Sequence, residues 1–120
     1  MIITTSETGR LGETLAEEYL EENGYKIIEK NYRTKYAEID VVAEKNGVLV
    51  FVEVRTKSNE EFGTPEETIN YKKRKKLMRN AEAYVARKRY KGPYRIDALC
   101  IVLGSNEKTA RISYYENIIN

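Results

Sequence analysis

Two acidic residues, Asp40 and Glu53, flank an Asn46-Gly47 pair, and that pair decides where their side chains go. Asn-Gly between alternating apolar runs is the strongest short signal for a tight β-hairpin. A two-residue turn fixes the register: residue 45 opposes 48, and 44 opposes 49. Carried outward, this register sets Asp40 across from Glu53 and Glu38 across from Arg55. All four would share one face with the Val42–Phe51 pair. The other face would carry Ala37, Ile39, Val41, Ala43, Val50, Val52 and Val54, an apolar core surface.

Two carboxylates opposed at roughly 5 Å between β-carbons destabilise a sheet unless something compensates. A shared proton would do so, with one carboxyl titrating high. So would Arg55, two residues along from Glu53. A divalent cation does so most directly: Mg²⁺ takes hard oxygen ligands, commonly one or two carboxylates with waters and substrate phosphate. The structural alternative is a patch in which Glu38, Arg55, Asp40 and Glu53 neutralise one another. Lys57 follows on the same face about 7 Å beyond Arg55. A cation there could stabilise charge developing on a phosphate, or handle a proton. Arg55 could clamp an anion but could not serve as a base.

Glu13 is a further candidate. It falls about 20° from Leu20 around the first helix, at the rim of the apolar stripe. Gly9 and Gly12 flank it, and helical glycine costs up to about 1 kcal/mol against alanine. Close approach of another element or of a phosphate would explain them; a frayed helix start with a dipole-stabilising glutamate is the alternative.

Composition narrows the chemistry. The chain has 120 residues, 41% apolar and 33% charged, with a net charge of +2. That fits a single domain over 1–120 that needs no disulfide or metal to fold. Histidine is absent, which removes Ser-His-Asp and Cys-His catalysis and His-ligated zinc. The single cysteine, Cys100, forms no internal disulfide and reads as core, so a cytoplasmic setting is expected. No apolar run approaches the roughly 20 residues that span a bilayer, and no secretory leader pattern opens the chain, so no membrane partner is expected.

Charge is unevenly spread. Residues 1–30 carry three cations and seven acids, whereas residues 65–95 carry eleven cations and three acids, net +8. The densest stretch, Lys72-Lys73-Arg74-Lys75-Lys76, suits a polyphosphate partner, or is a solvated helix face. If the helix begins at Asn70, these cations crowd its first turn and oppose the helix dipole, unless an anion arrives there.

The elements that must position these groups follow from periodicity. Residues 8–23 read as a helix, with Leu11, Leu15, Ala16, Tyr19 and Leu20 at helical spacing and Asn23-Gly24 as a stop. Strands are expected at 25–33, 37–44, 48–57, 94–103 and 110–116. A second helix runs to about Tyr90, starting at the Thr64-Pro65-Glu66-Glu67 capping pattern or at Asn70. The order α-β-β-β-α-β-β predicts an α/β domain, a central mixed five-stranded sheet flanked by helices.

Gly9-Arg10-Leu11-Gly12-Glu13, Gly24-Tyr25, Asn31-Tyr32-Arg33, Glu38-Ile39-Asp40, Val50 to Arg55, Phe62-Gly63-Thr64-Pro65, the Lys72 run with Ala81 and Tyr84, and Arg95-Ile96-Asp97 occur in one order. That order resembles the YraN family of small bacterial proteins, over about residues 8–103. The family is similar to restriction-endonuclease-like nucleases of the PD-(D/E)xK type, and among them to archaeal Holliday-junction resolvases. The resemblance implies a Mg²⁺- or Mn²⁺-dependent phosphodiesterase acting on DNA, with branched DNA a candidate substrate and a homodimer a candidate assembly. It implies Asp40 and Glu53 as metal ligands with the Val54 carbonyl as a third. It matches Glu13 to the helix glutamate of the resolvases and places Lys72 near the site. Arg55 stands where that superfamily has lysine, so Lys57 would take over the role or catalysis would be weak or absent. A nucleic-acid-binding protein without chemistry on the same fold is the alternative. Asp97, among apolar neighbours, is read first as a structural partner for an arginine such as Arg33 and second as a site residue.

Overall fold

The computed structural model describes residues 5–104 and 109–119. Helix α1 (Thr5–Glu22) precedes strands β1 (Lys26–Arg33), β2 (Glu38–Lys45) and β3 (Val48–Lys57). A short 3₁₀ turn (Glu66–Thr68) leads into helix α2 (Tyr71–Lys88), followed by β4 (Tyr94–Leu103) and β5 (Thr109–Tyr115). The five strands lie in the order β1-β2-β3-β4-β5. Only β3 and β4 run parallel, with α2 as the crossover between them; the other neighbours are antiparallel. The expected α-β-β-β-α-β-β order and mixed five-stranded sheet are thus present.

The helices cover opposite faces. Ala16 and Leu20 of α1 pack on Val41, Ala43, Val50, Val52, Leu99 and Ile101. Leu77, Ala81 and Tyr84 of α2 pack on Ile39, Val42, Leu49, Phe51 and Ile96. A sheet buried on both faces needs near-continuous apolar strands, which β3 and β4 supply. Helix α2 starts at the second of its two candidate positions. The Asn70 side chain accepts the Lys73 N–H at 2.9 Å, an ordinary N-cap. The earlier Thr64 pattern caps only the 3₁₀ turn, where its hydroxyl accepts the Glu67 N–H.

The hairpin register holds from Lys45–Val48 to Val41–Val52, and there the β2–β3 ladder stops. Asp40 and Glu53 are therefore not a ladder pair, nor are Glu38 and Arg55. Glu38 instead pairs with Arg33 across β1. Strict alternation also fails: Ile39 packs under α2 with Val42, while Val41 packs under α1. The neighbouring strand makes the same switch. Lys30 reaches Glu17 of α1, Tyr32 packs on Tyr84 of α2, and Asn31 between them has a positive φ of 52°. The left-handed backbone at Asn31 interrupts the alternation of β1, so local period-2 reasoning breaks down at this end. Among the described residues no helix is long and apolar enough to cross a membrane.

Candidate functional site

The start of β2 and the end of β3 lie at one end of the sheet, because the two strands are antiparallel. The starts of α1 and α2 reach the same end. Helix α1 arrives through Gly12: a β-carbon there would sit 1.9 Å from the Thr56 hydroxyl of β3. Glycine is what lets the helix lie this close. Gly9, one turn earlier, meets nothing within 4 Å and borders open space. That space is a cleft of about 250 Å³ lined by Thr8, Gly9, Glu13, Asp40, Val54, Arg55 and Thr56.

Asp40 lies where the ladder ends. Its Oδ2 accepts the Val54 N–H at 2.8 Å, a bond that the interrupted ladder leaves to a side chain. In a strand the N–H and C=O of one residue point toward the same neighbour. The Val54 carbonyl therefore also projects toward Asp40. Glu53 reaches in from the α2 side, 6% exposed, close enough to share a hydrogen bond with Asp40. Burial, and after it the adjacent Glu53 charge, push the Asp40 carboxyl up to about 7.

Two cations hold Glu53. Arg55 approaches its Oε2 at 3.0 Å and Lys73 at 3.2 Å. Lys73, not Lys72, is the member of the basic run that turns toward the sheet, since the Asn70 cap sets the phase of α2. Arg55 keeps one donor unused: its Nε–H is buried and has no hydrogen-bond partner among the described residues. A buried donor without an acceptor is costly and calls for an explanation.

The cleft thus gathers Glu13, Asp40, Val54 and Arg55, with Glu53 and Lys73 behind it. Lys57 does not line it; its ammonium lies toward the loop at Gly63. The rest of the basic run disperses. Arg74 donates to the Ile69 carbonyl and lines a separate groove on the β4–β5 side, while Lys72, Lys75 and Lys76 face solvent. Thr8 and Thr56 join the site with no sequence signal of their own, and Lys73 acquires a contact that helical spacing alone does not reveal.

Among the described residues no three His, Cys, Asp or Glu side chains form a metal-holding group. The oxygen set here is two carboxylates and one carbonyl, all hard donors. That set fits a Mg²⁺-type ion, which completes its shell with water and phosphate, and fits no thiolate- or imidazole-seeking metal.

The model of the uncharacterised protein family UPF0102 matches residues 12–101, which include every cleft residue from Glu13 to Thr56. The chain belongs to the UPF0102 (YraN-like) family. The UPF0102 protein of Alkaliphilus metalliredigens is 41% identical over 110 residues, covering 91% of this chain and 94% of that protein. The relative from Persephonella marina is 44% identical over 95 residues, covering 78% and 82%. The one from Dictyoglomus turgidum is 35% identical over 117 residues, covering 96% and 98%.

Asp97 stands apart from the site. It is fully buried and bound by Arg95 Nε at 3.1 Å to both oxygens, by the Tyr114 hydroxyl at 2.5 Å and by the Asn117 N–H at 2.8 Å. Its arginine partner is Arg95 on its own strand, in place of the expected Arg33, whose side chain is engaged by Glu38. Cys100 is buried, as expected of a core residue, and burial pushes its thiol up to about 12.

Proposed function

We propose that this chain is a Mg²⁺- or Mn²⁺-dependent nuclease acting on DNA, branched DNA included, through a PD-(D/E)xK-like site. The observation that carries the reading is the pairing of opposite demands in one cleft. Asp40 and the Val54 carbonyl at the cleft wall, with Glu53 directly behind them, offer hard oxygens, and the Arg55 Nε–H beside them has no acceptor among the described residues. A phosphodiester bridged to a divalent cation meets both demands.

Asp40, Glu53 and the Val54 carbonyl would hold the ion. When bound, it would supply Lewis-acid polarisation of the phosphate and a more acidic water. Arg55 would donate Nε–H to a phosphate oxygen while its other nitrogen keeps Glu53 in place. Being always charged, Arg55 accepts no proton, which leaves Glu13 as the carboxylate in the cleft able to receive one. Lys72, Lys75 and Lys76, exposed on the adjoining helix start, would bind the flanking phosphates.

The test is cleavage of branched and linear DNA with Mn²⁺ or Mg²⁺ by wild type and by Asp40→Asn. Wild-type cleavage that disappears in EDTA and in the variant supports the reading. Equal cleavage by both proteins marks a contaminant and overturns it. Metal binding has its own readout: Mn²⁺ at pH 8 should raise the melting temperature of wild type and leave Asp40→Asn unmoved.

A second reading is a nucleic-acid-binding protein without chemistry. The ion pairs of Glu53 with Arg55 and Lys73 favour it, because they neutralise half of the acidic pair with no metal present. Salt-dependent DNA binding without cleavage or a Mn²⁺-induced shift would select it.

A further inference from the structure

Exposed aromatic side chains are not scattered evenly over this molecule. Among the described residues the exposed aromatics are Tyr36, Phe62, Tyr71, Tyr94 and Tyr115. Three of these belong to segments at the end of the sheet where the cleft opens: the β1–β2 turn, the loop after β3 and the first residue of α2. Phe62 is 89% exposed, Tyr71 67% and Tyr36 49%. A lone exposed hydrophobe needs no explanation, but three exposed rings on segments at one end of the sheet do.

Their supports are fixed rather than loose. The loop carrying Phe62 is tied to β5, where Arg111 pairs with Glu60 at 3.2 Å and with Glu66 at 2.5 Å. Within it, the Gly63 N–H bonds the Glu60 carbonyl and the Glu61 N–H bonds the Asn59 side chain. The Tyr36 turn is closed by the Thr34 N–H on the Ala37 carbonyl, and the Thr34 hydroxyl is hydrogen-bonded to the buried Asn80 of α2. Each of the two tyrosines also has a lysine over its ring, Lys35 over Tyr36 and Lys75 over Tyr71, both at 5.2 Å. Exposed rings on hydrogen-bonded segments, two of them under a lysine, are the parts of a platform on which bases stack while phosphates are neutralised. Paired bases inside a duplex hide their faces, so such a platform selects unpaired ones.

Resting on the nucleic-acid reading of this cleft, we propose that Phe62, with Tyr36 and Tyr71, stacks on unpaired bases at the cleft mouth. The strand delivered to the site is then single-stranded or freshly unpaired DNA. Glu61 and Glu67 are exposed beside Phe62. The phosphate backbone therefore runs along the lysines of α2, and the loop contributes only the face of its ring.

Binding of the intact chain to a fluorescent oligothymidylate and to a duplex of equal length, in EDTA, tests this without cleavage. Phe62→Ala should weaken oligothymidylate binding about tenfold and leave duplex binding unchanged. Phe62→Trp should restore it and Phe62→Leu should not, because stacking needs a ring and burial does not. Equal oligothymidylate binding by wild type and Phe62→Ala, an equal loss on duplex, or rescue by leucine would each overturn the proposal. Circular dichroism of each variant checks the fold. Loss of cleavage chemistry in the Asp40→Asn comparison would leave these affinities untouched, so the two readings fail separately.

Discussion

Asp40 and Asp97 are both acidic residues on the central strands, and their surroundings are opposite. Asp97 receives an arginine, a tyrosine hydroxyl and a backbone N–H. Asp40 receives one backbone N–H and faces a second carboxyl. Arg95 in turn reaches the Tyr25 hydroxyl, and Tyr19 stacks on Tyr114 at 5.7 Å, so the Asp97 charge is enclosed by a finished network. The Asp40 carboxyl borders an open cleft, and the Arg55 guanidinium in that cleft pairs with Glu53 rather than with Asp40. A satisfied buried acid has nothing left to offer a ligand. An under-satisfied one at the edge of a cleft stores an unfavourable contact that a cation or a proton relieves.

The largest expected effect comes from removing each acid in turn. Asp97→Ala leaves Arg95 and Tyr114 without their partner and should cost about 3–5 kcal/mol in urea denaturation, as for a broken buried ion pair. Asp40→Asn keeps an acceptor for the Val54 N–H and removes the repulsion with Glu53, so at pH 8 it should raise stability. A destabilised Asp40→Asn would erase the distinction between the two acids.

The two glycines of α1 sharpen the comparison between packed wall and open cleft. Gly12→Ala drives a methyl into Thr56 and should cost about 1–3 kcal/mol in melting experiments. Gly9→Ala meets open space and should be neutral or slightly stabilising, since alanine is the better helix former. Equal costs at both positions would mean that α1 does not approach β3 as described.

A pH dependence follows from the same contrast between the two acids. The Asp40 carboxyl titrates near 3.8 when unfolded and at about 7 when folded. The folded state therefore binds the proton more tightly. The stability this contributes is present below about 3.8 and is lost as pH rises through about 7. Between pH 8 and pH 5 wild type should gain about 2–3 kcal/mol relative to Asp40→Asn, read from urea midpoints. An identical pH profile for the two proteins would show that Asp40 is an ordinary solvated carboxylate.

Much of this was legible along the chain, and the failures share one cause. Asn46-Gly47 set the hairpin register correctly over the pairs from Lys45–Val48 to Val41–Val52. The glycines around Glu13 left close approach and a frayed helix start both open, and the structure shows close approach at Gly12, on Thr56, and open space at Gly9. The departures begin where strands stop being regular. Ile39 changes face, the ladder opens before Asp40, and Glu38 takes Arg33 as its partner. Alternation assumes a regular extended backbone paired along its length, and the left-handed Asn31 and the end of the β2–β3 ladder remove that assumption.

The sequence by itself determined the element order, the turn that brings β2 against β3, the family, and the residue types left to do chemistry once histidine is absent. These depend on local periodicity, turn propensity and composition, all of which act over a few residues. Only the tertiary structure decided that Lys73 reaches Glu53, that the Arg55 Nε–H finds no acceptor among the described residues, and that Asp97 is closed while Asp40 is open. Those outcomes depend on how separate elements dock, and the residues between Glu53 and Lys73 carry no local signal of where the helix start will settle.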